Sequence, residues 1–220
     1  GKQFREEYLF GSLLPILQAH PNKNHIQIAR LSQLYSCLNR QFATVTQNLD
    51  NLHEKTDLAG SLLHLHGTIA QGMCSKCNRT YDYHSLLEQY LKDPNRHDLF
   101  LCKTYKTSCS GIISPDMVEY GETVDNFDKG LKMAATADCL LIIGTSIRVS
   151  PINQIVRLIK DQGGKILLAT QSHTPKHKLA DIRLYGDLKT ILSQIRTNLI
   201  ERYRDDKNLS WFTRRKIRKI

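Results

Sequence analysis

Two apolar runs in the C-terminal half, Cys139-Leu-Leu-Ile-Ile143 and Ile166-Leu-Leu-Ala169, are each followed by a segment of helical period. That alternation constrains the fold more than any other feature of the chain. The first run turns at Gly144-Thr145-Ser146 into a helix expected from about Pro151, with proline at a favoured first-turn position. The second leads to Asp187–Ile200, where Leu188, Ile191, Leu192, Ile195 and Leu199 share a face. Strand, helix, strand, helix implies a parallel sheet with helices on its faces. Upstream, His25 to Leu38 reads as an amphipathic helix and Phe42 to Thr46 as a short β-branched strand. Phe4 to Leu17 has near-helical spacing interrupted by Pro15.

Between these halves the hydrophobic pattern weakens from Cys74 to Cys109, apart from a helix-like Ser85 to Leu91, which marks an inserted module. Its four cysteines define its chemistry. Cys74-x-x-Cys77 places two thiolates on one knuckle, and Cys102 and Cys109 can complete a tetrahedral Zn2+ site. Four sulfurs leave no open coordination position, so such a zinc is structural. A redox dithiol at Cys74/Cys77 is the competing reading. Cys37 and Cys139 sit among apolar neighbours and read as small core residues.

Other chemistry clusters around the strand ends. Gln47, Asn48 and Asp50 follow the strand ending at Thr46, on the side where open α/β sheets bind ligands. Their side chains suit hydrogen bonds to sugar hydroxyls or an amide, and equally suit Asx turns and helix caps. His66 is followed by Gly67, which lets backbone approach a ligand closely. An imidazole takes protons at neutral pH, but His53 and His64 compete for that role and periodicity does not choose. Gly144-Thr145-Ser146 resembles a phosphate or ribose loop, or an ordinary strand-to-helix turn.

The 220 residues suit one large domain, or one with a small insert, and bury a real core. No run approaches the roughly 18 apolar residues that span a bilayer. With no basic-apolar leader and cysteines of non-disulfide pattern, an intracellular protein is expected, cytoplasmic or nuclear, without a membrane partner. The opening Gly1-Lys2-Gln3-Phe4 lacks Met, as in a processed chain or a fragment. The net charge of +10 concentrates at the end, where Arg202 to Lys219 holds eight Lys and Arg residues against Asp205 and Asp206. A basic tail of this kind either contacts nucleic acid through phosphate neutralisation or is a solvated, poorly ordered terminus.

Taken together, these motifs resemble the sirtuin family of NAD-dependent protein-lysine deacylases, in the family's order. T-Q-N-L-D-N-L-H (46–53), L-H-G (65–67), the two cysteine pairs, Ser114-Pro-Asp-Met-Val-Glu-Tyr-Gly-Glu122 and Gly144-Thr-Ser-Ile-Arg-Val-Ser-Pro151 carry it. Pro21-Asn22, His25 and Thr174-Pro175 add to it, and the match spans roughly residues 1–195. The resemblance implies a Rossmann-like NAD-binding domain over 1–72 and 110–200, a zinc-binding insert over 73–109 and a basic tail over 201–220. It implies His66 as general base acting on a ribose hydroxyl, and Gln47, Asn48 and Asp50 at the nicotinamide ribose and carboxamide. Gly144, Thr145 and Ser146 would meet the phosphates and adenosine half, and Thr170 the adenine ribose. Val118 and Tyr120 would line an acyl-lysine tunnel, with Gly121 and Glu122 pairing to substrate peptide as an added strand.

The implied reaction has the acyl oxygen attacking C1′ of the ribose as nicotinamide leaves. Deacylated lysine and O-acyl-ADP-ribose are the products, with acylated lysines of histone-like or other basic proteins as substrates. The chain also departs from the family pattern. Its glycine-rich G-A-G-I-S loop and I-P-D-F-R segment do not occur within these residues, so the first strand and its turn are expected to be missing. Ala169-Thr170 stands for I-N, His64 for the usual Glu, and Glu119 is a charge beside the tunnel. A catalytically inactive sirtuin-like scaffold, or an ADP-ribosyltransferase or NAD hydrolase, are the alternative readings.

Overall fold

The computed structural model describes residues 13–103, 109–118, 124, 126–145, 147, 152–173 and 177–220. In chain order the elements are α1 (Leu14–Gln18), α2 (Lys23–Cys37), β1 (Ala43–Thr46), β2 (Ser61–His64), β3 (Gly67–Cys74), β4 (Thr80–Asp82) and α3 (Tyr83–Lys92). A 3-10 turn at His97–Phe100 leads to β5 (Ile113–Met117) and α4 (Phe127–Ala134). Then come β6 (Cys139–Ile143), α5 (Ile152–Asp161), β7 (Lys165–Thr170), β8 (Ile182–Tyr185), α6 (Leu188–Arg204) and α7 (Trp211–Ile217).

The chain divides into two compact units. One comprises Gly1–His20, Gln47–Leu52 and His66–Thr123, the other Pro21–Thr46, His53–Leu65 and Val124–Ile220. The second unit is the parallel α/β body. β1 pairs with β2 in parallel, with Thr46 opposite His64, and β6-β7-β8 form a second parallel sheet. Ile166 and Leu168 of β7 and Ile155, Val156 and Ile159 of α5 are buried together. Each such aliphatic side chain contributes roughly 1.5–3 kcal/mol on leaving water.

Local signals start its helices. Asn22 caps α2, its Oδ1 accepting from the Asn24 and His25 amides at 2.9 and 3.3 Å. His25 Nδ1 accepts from the Asn22 N–H, closing a reciprocal box. The Pro-Asn-x-x-His string therefore has a local physical reason. Asp187 caps α6 by accepting from the Thr190 amide and hydroxyl at 2.9 and 2.7 Å. These two hydrogen bonds hold its carboxyl below the usual carboxylate range.

The first unit is antiparallel, in the order β4-β3-β5. Its core mixes Ile69, Tyr83, Leu87, Tyr90 and Phe100 with Cys74 and Cys102. Gly67 opens β3 at φ +77, and a Cβ there would lie 2.0 Å from the Asp116 carbonyl oxygen. Only glycine passes that approach.

Several expectations are corrected. Cys139 is exposed and Cys37 half-buried, so neither is a core residue. The run Cys139–Ile143 is a strand, but only Ile142 is buried, because β6 pairs on one edge alone among the described residues. β2, β3, β4 and β8 escaped the sequence reading: their short, polar or glycine-containing segments carry little apolar period. The C-terminal stretch is not a disordered tail. α6 runs on to Arg204, and α7 packs against α2 and α6 with Ile217 fully buried. Among the described residues no helix is long and apolar enough to cross a membrane.

Candidate functional site

In the first unit the sulfurs of Cys74, Cys77, Cys102 and Cys109 all lie within 4.8 Å of one another. Cys74 meets Cys109, and Cys77 meets Cys102, at 3.6 Å in each case. Tetrahedral zinc, with Zn–S of about 2.3 Å, spaces its sulfurs by about 3.8 Å, so the four thiols fit that ion. β3 supplies Cys74 and the turn after it Cys77, while the segments flanking residues 104–108 supply Cys102 and Cys109. The Cys77 and Lys76 amides lower the Cys74 pKa. Although the Gly111 N–H pulls Cys109 down, burial and the three other sulfurs push it up to about 11. Four thiolates do not coexist there without a cation. Gly111 is the residue the sequence did not reveal: a Cβ on it would sit 2.3 Å from Cys74 Sγ.

In the same unit, His66 follows two residues after β2 ends, and its carbonyl accepts from the Val118 amide at 2.9 Å. Val118 thus lies beside His66. The Gln47 amide nitrogen is 3.5 Å from His66 Nε2, a long contact that joins strand-end residues 19 apart in sequence. Burial lowers the His66 pKa, so its ring is neutral and able to accept a proton at neutral pH. Asp50 does turn work: one oxygen accepts from the Leu52 amide at 3.1 Å and the other from the Asn48 side chain at 3.3 Å. Asn51, at φ +52, accepts from the Thr68 hydroxyl, and the Leu49 carbonyl accepts from Ile69 at 3.1 Å. The polar loop is thereby stitched to β3. Asn51 was not singled out from sequence, although asparagine is one of the few residues that adopt this backbone readily.

In the second unit, Gly144 and Thr170 stand at the C-terminal ends of neighbouring parallel strands, where open α/β sheets take ligands. Gly144 has φ +65 and donates to the Ala169 carbonyl at 3.1 Å. Thr145 Oγ1 accepts from the Ile147 amide at 3.3 Å. Ile147, buried and β-branched, holds φ +57, a costly conformation that nothing in its residue type announces. Thr170 is buried, and its carbonyl accepts from Gly186 at 3.1 Å. Of the competing histidines, His64 pairs with Glu54, and its carbonyl accepts from Asn126 at 2.9 Å. His53 is buried with its ring edge-on to His25 at 4.8 Å. Ser146, Tyr120, Gly121 and Glu122 lie outside the described residues.

Residues 3–151 match the Sir2 family. An NAD-dependent protein deacetylase of Saccharolobus solfataricus is 34% identical over 188 residues, which is 84% of this chain and 69% of that protein. The NAD-dependent protein deacylase 1 of Archaeoglobus fulgidus is 30% identical over 186 residues, covering 82% and 68%. Among solved structures, Sir2 bound to an acetylated peptide superposes with a TM-score of 0.74 at 23% identity, over 90% of this chain and 78% of that one. A Sir2 complex with a p53 peptide and NAD+ gives 0.73 at 24%, over 90% and 77%. These superpositions carry the fold, and the four-cysteine cluster is this chain's own.

Proposed function

This chain belongs to the Sir2 family and is an NAD-dependent protein deacylase, and we propose that His66 is its general base. The observation that carries the proposal is the pairing of a partly buried, neutral imidazole with Gln47 at the ends of two adjacent parallel strands. When bound, NAD supplies the electrophilic ribose C1′ and nicotinamide as leaving group. His66 Nε2 accepts the proton of a ribose hydroxyl. Gln47 orients that ring, and Asn48 and Asp50 face the nicotinamide ribose and carboxamide from a loop already held in shape. Gly144, Thr145, Ser146 and Thr170 take the phosphate and adenosine half. A left-handed glycine and the open carboxyl ends of β6 and β7 support this, because a phosphate can approach the backbone there.

Val118, beside His66, lines the acyl-lysine tunnel with Tyr120, while Gly121 and Glu122 pair with the substrate backbone. The substrates are acylated lysines of histone-like or other basic proteins, and the products are nicotinamide and O-acyl-ADP-ribose. Zinc on Cys74, Cys77, Cys102 and Cys109 braces its module and takes no part in proton transfer. Six cysteines, none in a disulfide and four grouped as metal ligands, accord with an intracellular location, cytoplasmic or nuclear.

His66→Ala is the test. With an acetyl-lysine peptide it should cut NAD-dependent nicotinamide release by about 10²–10⁴-fold, with zinc content and melting temperature unchanged. Full activity in that variant assigns the base elsewhere. Free or protein-bound ADP-ribose as the only product, read by mass spectrometry, rejects the deacylation chemistry.

A further inference from the structure

The second unit holds a concentration of positive charge that deacylation does not use. From Lys189 to Lys219 the chain carries ten Lys and Arg residues against Glu201, Asp205 and Asp206. Asp205 is spent on Arg204 and Arg218, at 2.9 and 3.1 Å. Between α2 and α6 runs a groove of about 260 Å³ lined by Lys23, Ile26, Gln27, Arg30, Lys189 and Ser193. Arg196 of α6 donates from Nε to the lining residue Gln27 and from Nη1 to the Ile220 backbone oxygen, both at 2.9 Å. Among the described residues Lys23, Arg30 and Lys189 form no ion pair, and Lys189 acts on the Asp187 carboxyl through its nearby charge. Burial, and then the Arg30 charge beside it, lower the Arg196 pKa. Like charges that outnumber the carboxylates near them attract an anion.

The bond to Ile220 ties α6 to the segment after α7, and α7 packs against both helices that form the groove. Helix α7 turns Ile217 inward and leaves Trp211 and Phe212 outside, 56% and 74% exposed. Their rings meet edge-on at 5.1 Å, and the Arg215 guanidinium lies 5.1 Å from the Trp211 centroid. Two bare aromatic rings beside uncompensated cations are what a strand of unstacked bases on a phosphate backbone requires. An anionic bilayer is also drawn to exposed Trp and Phe flanked by cations. Its flat surface, however, does not enter a groove between two helices, where Lys23, Arg30 and Lys189 converge; a single polyanionic strand does.

We propose that the groove between α2 and α6, together with the aromatic face of α7, is a binding surface for single-stranded nucleic acid. The test is fluorescence anisotropy on the full chain, without NAD or peptide, using a fluorescein-labelled oligothymidylate about 20 nucleotides long. The logarithm of affinity should fall linearly with the logarithm of salt, by about 0.7 per phosphate contacted. Trp211→Ala with Phe212→Ala should weaken binding about tenfold or more at unchanged salt slope. Lys23→Gln with Lys189→Gln should flatten the slope by about 1.4. All four side chains face solvent, so circular dichroism melts of the variants should match the parent.

Absence of salt-dependent binding, or indifference to both double variants, overturns the proposal. So does co-sedimentation with phosphatidylserine vesicles through Trp211 and Phe212 by a chain that ignores the oligonucleotide.

Discussion

Around β3 the core is made of rings and thiols, with Tyr83, Tyr90, Phe100, Cys74 and Cys102 packed against Ile69 and Leu87. Around β7 it is aliphatic, with Ile166, Leu168, Ile155, Val156 and Ile159. The contrast follows from strand chemistry. Parallel strands covered by helices bury branched side chains on both faces and need little else. The antiparallel unit has three short strands and eight residues in its longest, so it borrows cohesion from a cross-link that sulfur can provide. The difference separates two ways of holding the proposed site residues: Gln47, Asn48, Asp50 and His66 belong to the unit with the four-cysteine cluster, Gly144 and Thr170 to the packed one.

Metal removal should expose this contrast most. Chelation, or Cys102→Ser, forfeits a zinc affinity worth on the order of 10 kcal/mol in small zinc modules. Limited proteolysis should then cut within 66–123 while the β6-β7-β8 region stays protected. Cleavage of the parallel body first would break the comparison. The mirror experiment is Leu168→Ala, which empties a fully buried position of β7. It should cost about 2–5 kcal/mol in chemical denaturation, with zinc content near one per chain.

Gly111→Ala sharpens the picture inside the metal unit. Its methyl would press on Cys74 Sγ, so an overpacking penalty of about 1–3 kcal/mol should appear as weaker zinc retention. Unchanged zinc affinity in a competition titration would count against the geometry. The smallest effect concerns protons. Burial lowers the His66 pKa, and the proposed role as general base belongs to its neutral form. Logarithmic kcat/KM should therefore rise with pH through an inflection below the usual 6.5 and level off above it. The folded ring binds fewer protons than the unfolded one, so its contribution to stability is complete above 6.5 and is lost as pH falls toward the folded value. An inflection above 6.5 in the rate profile would contradict the burial.

Much of the candidate site was legible because its residues are neighbours in sequence or carry a chemistry that few others do. The four cysteines came together as expected. Gln47 and His66 came into contact because each closely follows one of two strands that pair in register. Gly111, Asn51 and Ile147 were not legible. A lone glycine, a second asparagine and a β-branched residue acquire meaning only from what surrounds them in space. The dull reading of Asp50 as a turn former holds in the structure beside its proposed role at the carboxamide.

The sequence alone determined most of the helices, the strands β1, β6 and β7, and the cysteine ligand set, because hydrophobic period, caps and thiols are local properties of the chain. Tertiary structure decided which strand edges pair, that the basic C-terminal stretch folds into α6 and α7 over a buried Ile217, and that Cys139 lies outside the core. Those outcomes depend on contacts between residues far apart along the chain, where burial is shared out among many competitors and no single segment records the result.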